Sequence, residues 1–199
     1  MQAVRHYGPT FGPPQVALRP SPGALTVETT QDVRGATGGM ANVDYVIDVP
    51  TAAGADIGSV SGDLIVSGLS GPVTVRTTSG DVSLTDLDGP VTVASTSGRI
   101  TGTGVAKIVE ARSFSGTIDL GGTLTGDAPI VTTSGDVTLR FEPGTSARID
   151  ASTLSGTVRT SGPLLGASRN IRSQSVTLGS GSVLIQVRTT SGSIALLAR

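Results

Sequence analysis

The sequence has no cysteine and no tryptophan, and its aromatic residues are only two tyrosines and three phenylalanines. The absence of cysteine excludes disulfide bonds and thiolate metal sites. Fourteen basic and fifteen acidic residues give a formal net charge of −1, so the chain lacks the basic surface that nucleic acids require. The scarcity of aromatic rings fits a narrow core filled by aliphatic side chains.

His6 is the only histidine, and the chain has no run near eighteen apolar residues. Because this histidine lies in the proline-rich N-terminal segment, we expect no Ser-His or Cys-His catalysis and no histidine metal site. We expect no membrane span and see no N-terminal signal, which predicts a cytoplasmic protein as the sequence is written. Removal of a signal from the parent gene would place it in the cell envelope instead.

The chain is rich in glycine, with 28 residues, and a Ser-Gly phrase followed by a branched aliphatic recurs along it. Its serines are separated by 18, 18, 18, 19, 21 and 36 residues, and stand at Ser61, Ser79, Ser97, Ser115, Ser134, Ser155 and Ser191. Within the last gap Ser173 is in register but is followed by Gln174. A fixed period over eight copies indicates stacked repeats that bury their apolar faces against one another.

Each copy alternates apolar and polar residues, as half-buried strands do. The residue three positions after the serine is aliphatic in all eight copies: Leu64, Val82, Ile100, Ile118, Val137, Val158, Val176 and Ile194. The sequence therefore predicts an all-β fold, a single-stranded parallel β-helix (β-solenoid) with about 18 residues per coil and right-handed winding. A sandwich or barrel of hairpins would also alternate, but it would not explain eight copies on one period.

The first 22 residues contain five prolines, and we expect residues 1–21 to form an irregular arm. Residues 22–199 then form the solenoid, with residues 24–29 and 43–49 as its first strands. The seventh copy departs from the pattern, because Arg169 falls in an inward column beside Gln174. A one-residue slip that turns Ile171 inward would restore the alternation there.

The stretch Ser-Gly-Asp-Val-Ser-Leu-Thr-Asp-Leu-Asp-Gly-Pro-Val-Thr-Val, residues 79–93, resembles the bacterial β-strand-repeat family assigned as adhesins of unknown function. Residues 45–50, which lead into Ser61-Gly-Asp-Leu64, and residues 143–156 are similar to the same family. The resemblance covers residues 22–199. It implies a repetitive β fold and adhesion, and it carries over no catalytic residue.

Carboxylates are the remaining candidates for chemistry. Asp86 and Asp88 form the nearest pair for a carbohydrate-active or carbohydrate-binding β-helix, although two acidic residues at a turn more often solvate it. Asp63 and Asp81 would stack on adjacent rungs and repel, which a cation would relieve. Arg99 follows in that column and is the simpler partner for Asp81, so we expect no metal and no cofactor.

Exposed apolar side chains are the candidates for partner contact. Alternation turns Phe114, Val131 and Leu154 outward on neighbouring rungs. The threonine pairs before several serines do not form a continuous flat surface, because Phe114 and Leu154 interrupt their outer column. The chain ends within a ladder, so Ile194, Leu196 and Leu197 are expected at an open coil that pairs end to end with another molecule.

These observations predict a non-enzymatic structural or adhesion-type β-solenoid that binds a protein partner or itself through its surface and open ends. The alternative is the glycan-binding or glycan-cleaving β-helix that would use Asp86 and Asp88. No nucleic acid, cofactor or metal is expected.

Overall fold

The computed structural model describes residues 2–6, 15–21, 24–30, 42–162 and 168–198. The chain divides into two compact units, Met1–Val49 and Pro50–Arg199. Within the described residues both units consist of β-strands, turns and bends. No helix in this part of the chain is long and apolar enough to cross a bilayer.

The first unit contains two antiparallel strand pairs. Strand β1 (Gln2–His6) pairs with β4 (Asn42–Val46), and β2 (Gln15–Ser21) pairs with β3 (Ala24–Thr30). Two predictions therefore need correction. Part of the proline-rich segment 1–21 is strand, and the segments expected to begin the solenoid, β3 and β4, pair with that segment rather than with the repeats.

The second unit is one sheet of fourteen strands with a β-solenoid-like, repeat-like arrangement. The strands are β5 (Ala55–Ser59), β6 (Leu64–Ser67), β7 (Val73–Ser79), β8 (Val82–Ser97), β9 (Ile100–Ser115), β10 (Ile118–Gly122), β11 (Ala128–Ser134), β12 (Val137–Phe141), β13 (Ala147–Ser155), β14 (Val158–Ser161), β15 (Ser168–Ile171), β16 (Ser173–Leu178), β17 (Val183–Ser191) and β18 (Ile194–Ala198).

Equivalent residues of the repeats lie on top of one another in parallel register. Ser79 pairs with Ser97, and Ser97 pairs with Ser115. We call the two strand segments on either side of one such serine a layer, named by that serine. The predicted inward columns are confirmed, because the aliphatic residues three positions after the serines are buried from Val82 to Ile194, apart from the half-buried Val176.

The layers do not stack in the order of the sequence. Strand β17 lies between β11 and β13, and β18 lies between β12 and β14, parallel to its neighbours on both sides. The Ser191 layer is therefore inserted between the Ser134 and Ser155 layers. The prediction that the chain ends at an open coil is wrong, since the last strands lie inside the stack.

The connection between β12 and β13 explains how a gap for the Ser191 layer arises between the Ser134 and Ser155 layers. Ser134 and Ser155 are 21 residues apart, and the extra residues form a turn at 142–146 in which Thr145 binds the carbonyl of Glu142. The longer connection lets the chain pass over one layer before it resumes the repeat. Asp127 Oδ1 accepts a hydrogen bond from the Leu184 amide at 2.6 Å, and Asp136 Oδ1 accepts one from the Ser193 amide at 2.7 Å. These two bonds join the inserted layer to the Ser134 layer.

The seventh copy is not a parallel layer. Strand β16 runs antiparallel to β13, with Ser173 opposite Ser152, and β15 runs antiparallel to β14, with Ile171 opposite Val158. The chain thus folds back along the Ser155 layer and forms the edge of the sheet there. The side chains of Arg169 and Ile171 lie outside the described residues, whereas Gln174 is half-buried opposite Ala151.

Candidate functional site

The inside of the stack is filled by aliphatic columns and by one column of hydroxyl groups. This column stands two positions before each corner serine, and its buried members are Thr77, Ser95, Ser113, Thr132, Thr189 and Thr153. Several of them donate to carbonyl groups at the corners, as Thr189 does to Gly135 at 3.2 Å. The first threonine of each Thr-Thr pair is therefore a structural residue, and only the second, such as Thr78, is exposed.

The predicted contact patch is divided by the order of the layers. Phe114 and Leu154 are 62% and 69% exposed. Phe114 belongs to β9 and Leu154 to β13, and both β11 and β17 lie between them. Three strand spacings separate the two side chains, about 14 Å. The prediction that they lie on neighbouring rungs is therefore wrong.

Val131 is half-buried and has arginines on both sides. It pairs with Arg112 of β9 and with Arg188 of β17. The three predicted contact residues therefore do not form one apolar surface.

The three predicted end residues lie within the stack. Ile194 and Leu196 are fully buried, and each pairs with one residue of β12 and one of β14. Leu197 is half-buried between Arg140 and Ser161. The prediction of an end-to-end contact through these residues is corrected, because both sides of β18 are already paired.

The carboxylates are exposed and have structural surroundings. Asp86 lies at a corner with φ of 51°, a left-handed conformation that aspartate tolerates better than most residues. Asp63 Oδ1 accepts the Asp81 amide at 2.9 Å, and Asp81 Oδ1 accepts the Arg99 amide at 2.8 Å. Each carboxylate thus binds the backbone of the next layer, which offsets the repulsion expected between them. The described residues contain no group of three or more His, Cys, Asp or Glu side chains that could hold a metal ion.

The Ser61 layer forms an edge of the sheet and has the most exposed apolar side chains. Among the strands that the structure describes, β5 pairs only with β7, and β6 pairs only with β8. Val60 is 76% exposed and Ile65 is 80% exposed. Sequence reasoning missed this edge, although Leu64-Ile65-Val66 breaks the alternation and places an isoleucine where six of the seven other copies have a polar residue.

The edge also contains an open depression of about 340 Å³. It is lined by Gly58 and Val60 from the first layer and by Arg76 and Thr78 from the second. The Arg76 guanidinium lies 3.1 Å from Asp56 Oδ1, so its charge is already paired. A mixed apolar and hydroxyl surface remains for contact.

One comparison with known proteins gives a match. The model of the Toastrack DUF4097 family, a domain of unknown function with a repeat-like β fold, matches residues 29–197. No curated protein and no solved structure matches the chain.

Proposed function

The chain belongs to the Toastrack DUF4097 family, and from that premise we propose that it is a non-enzymatic, adhesion-type structural module. It binds an extended segment of a partner protein along the edge of its Ser61 layer. The observation that carries the proposal is that β5 and β6 each have one edge without a partner among the described strands, beside the exposed side chains of Val60 and Ile65.

An edge strand offers a row of backbone N–H and C=O groups that can pair with an added strand. The backbone groups of β5 that face the second layer are already hydrogen-bonded, as in the bond from the Ala55 amide to the Pro72 carbonyl at 2.9 Å. The inward residues of this layer, Ala55, Ile57 and Leu64, are only half-buried although they pack against the core. A strand added at the free edge of this layer would complete the burial of these side chains. In the later layers, a neighbouring layer on each side has this effect.

We also propose right-handed winding with about 18 residues per coil. Right-handed crossovers predominate among parallel strands. The pairing of Val73 with Val91 and of Val82 with Ile100 agrees with this coil size in the early layers. An experimental structure that traces the main chain with left-handed winding would contradict the proposal.

Binding at the edge can be tested with a fluorescent peptide that copies residues 73–85, the part of the second layer that lies over both β5 and β6. The edge of this segment that faces β8 and β9 in the structure is the one that would pair with the free edge of the Ser61 layer. We expect a saturable rise in fluorescence anisotropy with the full chain. The double variant Val60→Lys, Ile65→Lys should bind at least about tenfold more weakly, because each lost apolar contact contributes on the order of 1.5 kcal/mol or more. Leu154→Lys, a change of an equally exposed leucine on β13, is the control and should bind normally.

Sedimentation velocity across a wide concentration range identifies self-association. A dimer that is lost in Val60→Lys, Ile65→Lys would make a second copy of the chain the partner. A monomer at every concentration that also fails to bind the peptide would contradict the proposal. Glycan binding that is lost in the Asp86→Asn, Asp88→Asn variant would favour the carbohydrate alternative, and asparagine suits this test because it also tolerates a left-handed φ.

A further inference from the structure

A polar groove of about 290 Å³ lies on the outer face of the sheet, where β16 folds back beside β13. It is lined by side chains of β13, β16 and β17, among them Arg148, Asp150, Ser152, Ser175, Gln186 and Arg188. The groove uses none of the residues of the Ser61 edge. We call it the β13–β16 groove.

The reversed direction of β16 places short hydroxyl side chains beside charged ones. Ser175 is opposite Asp150, and Ser173 is opposite Ser152. On the other side of β13, Gln186 is beside Asp150 and Arg188 is beside Ser152. Arg148 lies four residues before Ser152 on the same strand, so the two arginine positions are separated by roughly 13 Å along the groove.

Asp150 is held as a charged acceptor inside this groove. Its Oδ1 atom accepts a hydrogen bond from Ser175 Oγ at 2.6 Å and lies 3.3 Å from Arg148 Nε. The Ser175 hydrogen bond lowers the pKa of Asp150, with a smaller lowering by Arg148 that partial desolvation opposes. The carboxylate is therefore ionised at neutral pH, and Arg148 serves as its partner.

The side chain of Arg188 is exposed and makes no ion pair or hydrogen bond with any residue that the structure describes. Two arginines of its own outward column differ, since Arg76 pairs with Asp56 and Arg112 pairs with Glu110. With Arg148 balanced by Asp150, the groove has one uncompensated positive charge. Its charge and its hydroxyl and amide groups are complementary to a ligand with one negative charge and several hydroxyls.

We propose that the β13–β16 groove binds a monoanionic saccharide of the uronate class. The guanidinium of Arg188 binds the sugar carboxylate, for which its paired N–H donors are well matched. Ser152, Ser173 and Gln186 supply donors and acceptors to the ring hydroxyls. The groove volume is near the lower limit for ligand pockets and suits about one sugar ring. Asp150 disfavours a phosphate dianion more than a monoanionic carboxylate, because the dianion carries twice the negative charge that Asp150 repels.

The test titrates the full chain with D-galacturonic acid and follows binding by backbone NMR shifts. Its methyl ester, which has the same ring without the charge, is the ligand control, and inorganic phosphate is the anion control. We expect saturable binding of the acid, with shifts centred on β13, β16 and β17. The ester and phosphate should bind at least about tenfold more weakly, because the carboxylate contact accounts for more than 1.4 kcal/mol.

Arg188→Gln should weaken galacturonate binding at least about tenfold. Arg112→Gln is the matched control, because Arg112 is in the same outward column two strands away and pairs with Glu110. It should leave binding unchanged, and neither variant should alter the melting temperature, since both side chains are exposed.

The proposal is overturned if galacturonate does not bind saturably, if the ester or phosphate binds equally well, or if Arg188→Gln binds like the unmodified protein. The edge variant Val60→Lys, Ile65→Lys should bind galacturonate normally. Loss of edge docking and loss of saccharide binding are therefore separate results.

Discussion

At the scale of single residues, the glycine of the Ser-Gly phrase is required by close approach between layers. A Cβ atom added to Gly80 would lie 2.2 Å from the Gly62 carbonyl oxygen, and one added to Gly98 would lie 2.2 Å from that of Gly80. The same contact continues through Gly116, Gly135, Gly192 and Gly156. The phrase thus marks a corner where backbone packs directly on backbone. The copy that has Gln174 in place of this glycine lies in β16, which runs antiparallel and is not stacked in this way.

Gly116→Ala tests this close approach most directly. Its Cβ would meet the Gly98 carbonyl oxygen at 2.0 Å, so two layers must separate locally. We expect a loss of about 2–3 kcal/mol or more in the free energy of unfolding, measured by urea denaturation. Gly121→Ala, whose nearest contacts would be ordinary at 3.7 Å, should be neutral or slightly stabilising. Equal effects of the two changes would contradict the argument.

At the scale of the strand, the sequence predicted the inward columns well because burial and alternation leave a local signal. The residues four positions before the corner serines are buried as that alternation requires, at Val75, Val93, Ala111, Ile130, Ala151 and Val187. The local pattern carries less information about which strand is the neighbour. Strand β17 presents the same column of residues as any other copy, so its place between β11 and β13 depends on connection length and on contacts such as Ser146 Oγ with Ser180 Oγ at 2.8 Å.

The sequence predicted neither the Ser61 edge nor the β13–β16 groove, and the reason is the same for both. The Ser61 edge follows from which strand lacks a neighbour, and the groove follows from the reversal of β16. The reversal does leave a signal in the sequence, because Gln174 replaces the glycine of the Ser-Gly phrase. The repeat pattern alone indicated only that this copy is irregular. Asp150, Ser175 and Arg188 are far apart in the chain, so only their pairing brings them into one groove.

The inward columns can be tested at Ile118, which is buried between Ile100 and Val137. Ile118→Asp would place a carboxylate among aliphatic side chains with no partner. We expect destabilisation of about 3–5 kcal/mol, seen as a large fall in melting temperature. Thr96→Asp, a change on the exposed column, is the control and should have little effect. An unchanged melting temperature for Ile118→Asp would mean that this column is solvated.

At the scale of the whole molecule, the order of the layers makes the last strands part of the interior. Strands β17 and β18 have partners on both sides, whereas β5, β6 and β16 each have one partner within the described part of the chain. Along the chain, β15 and β16 fold back beside the Ser155 layer, and β17 and β18 then return into the stack. The position of a segment in the sequence therefore does not indicate its local stability.

Hydrogen exchange measured by mass spectrometry tests this order without any substitution. Amides in 183–198 should exchange at least about a hundredfold more slowly than those in 55–67 and 173–178, because an interior strand opens only with the layers on both sides while an edge strand frays alone. If the layers followed the sequence, 183–198 would be a terminal layer and would exchange as fast as the edges. That result would contradict the inserted layer and restore an open end at Ile194 and Leu196.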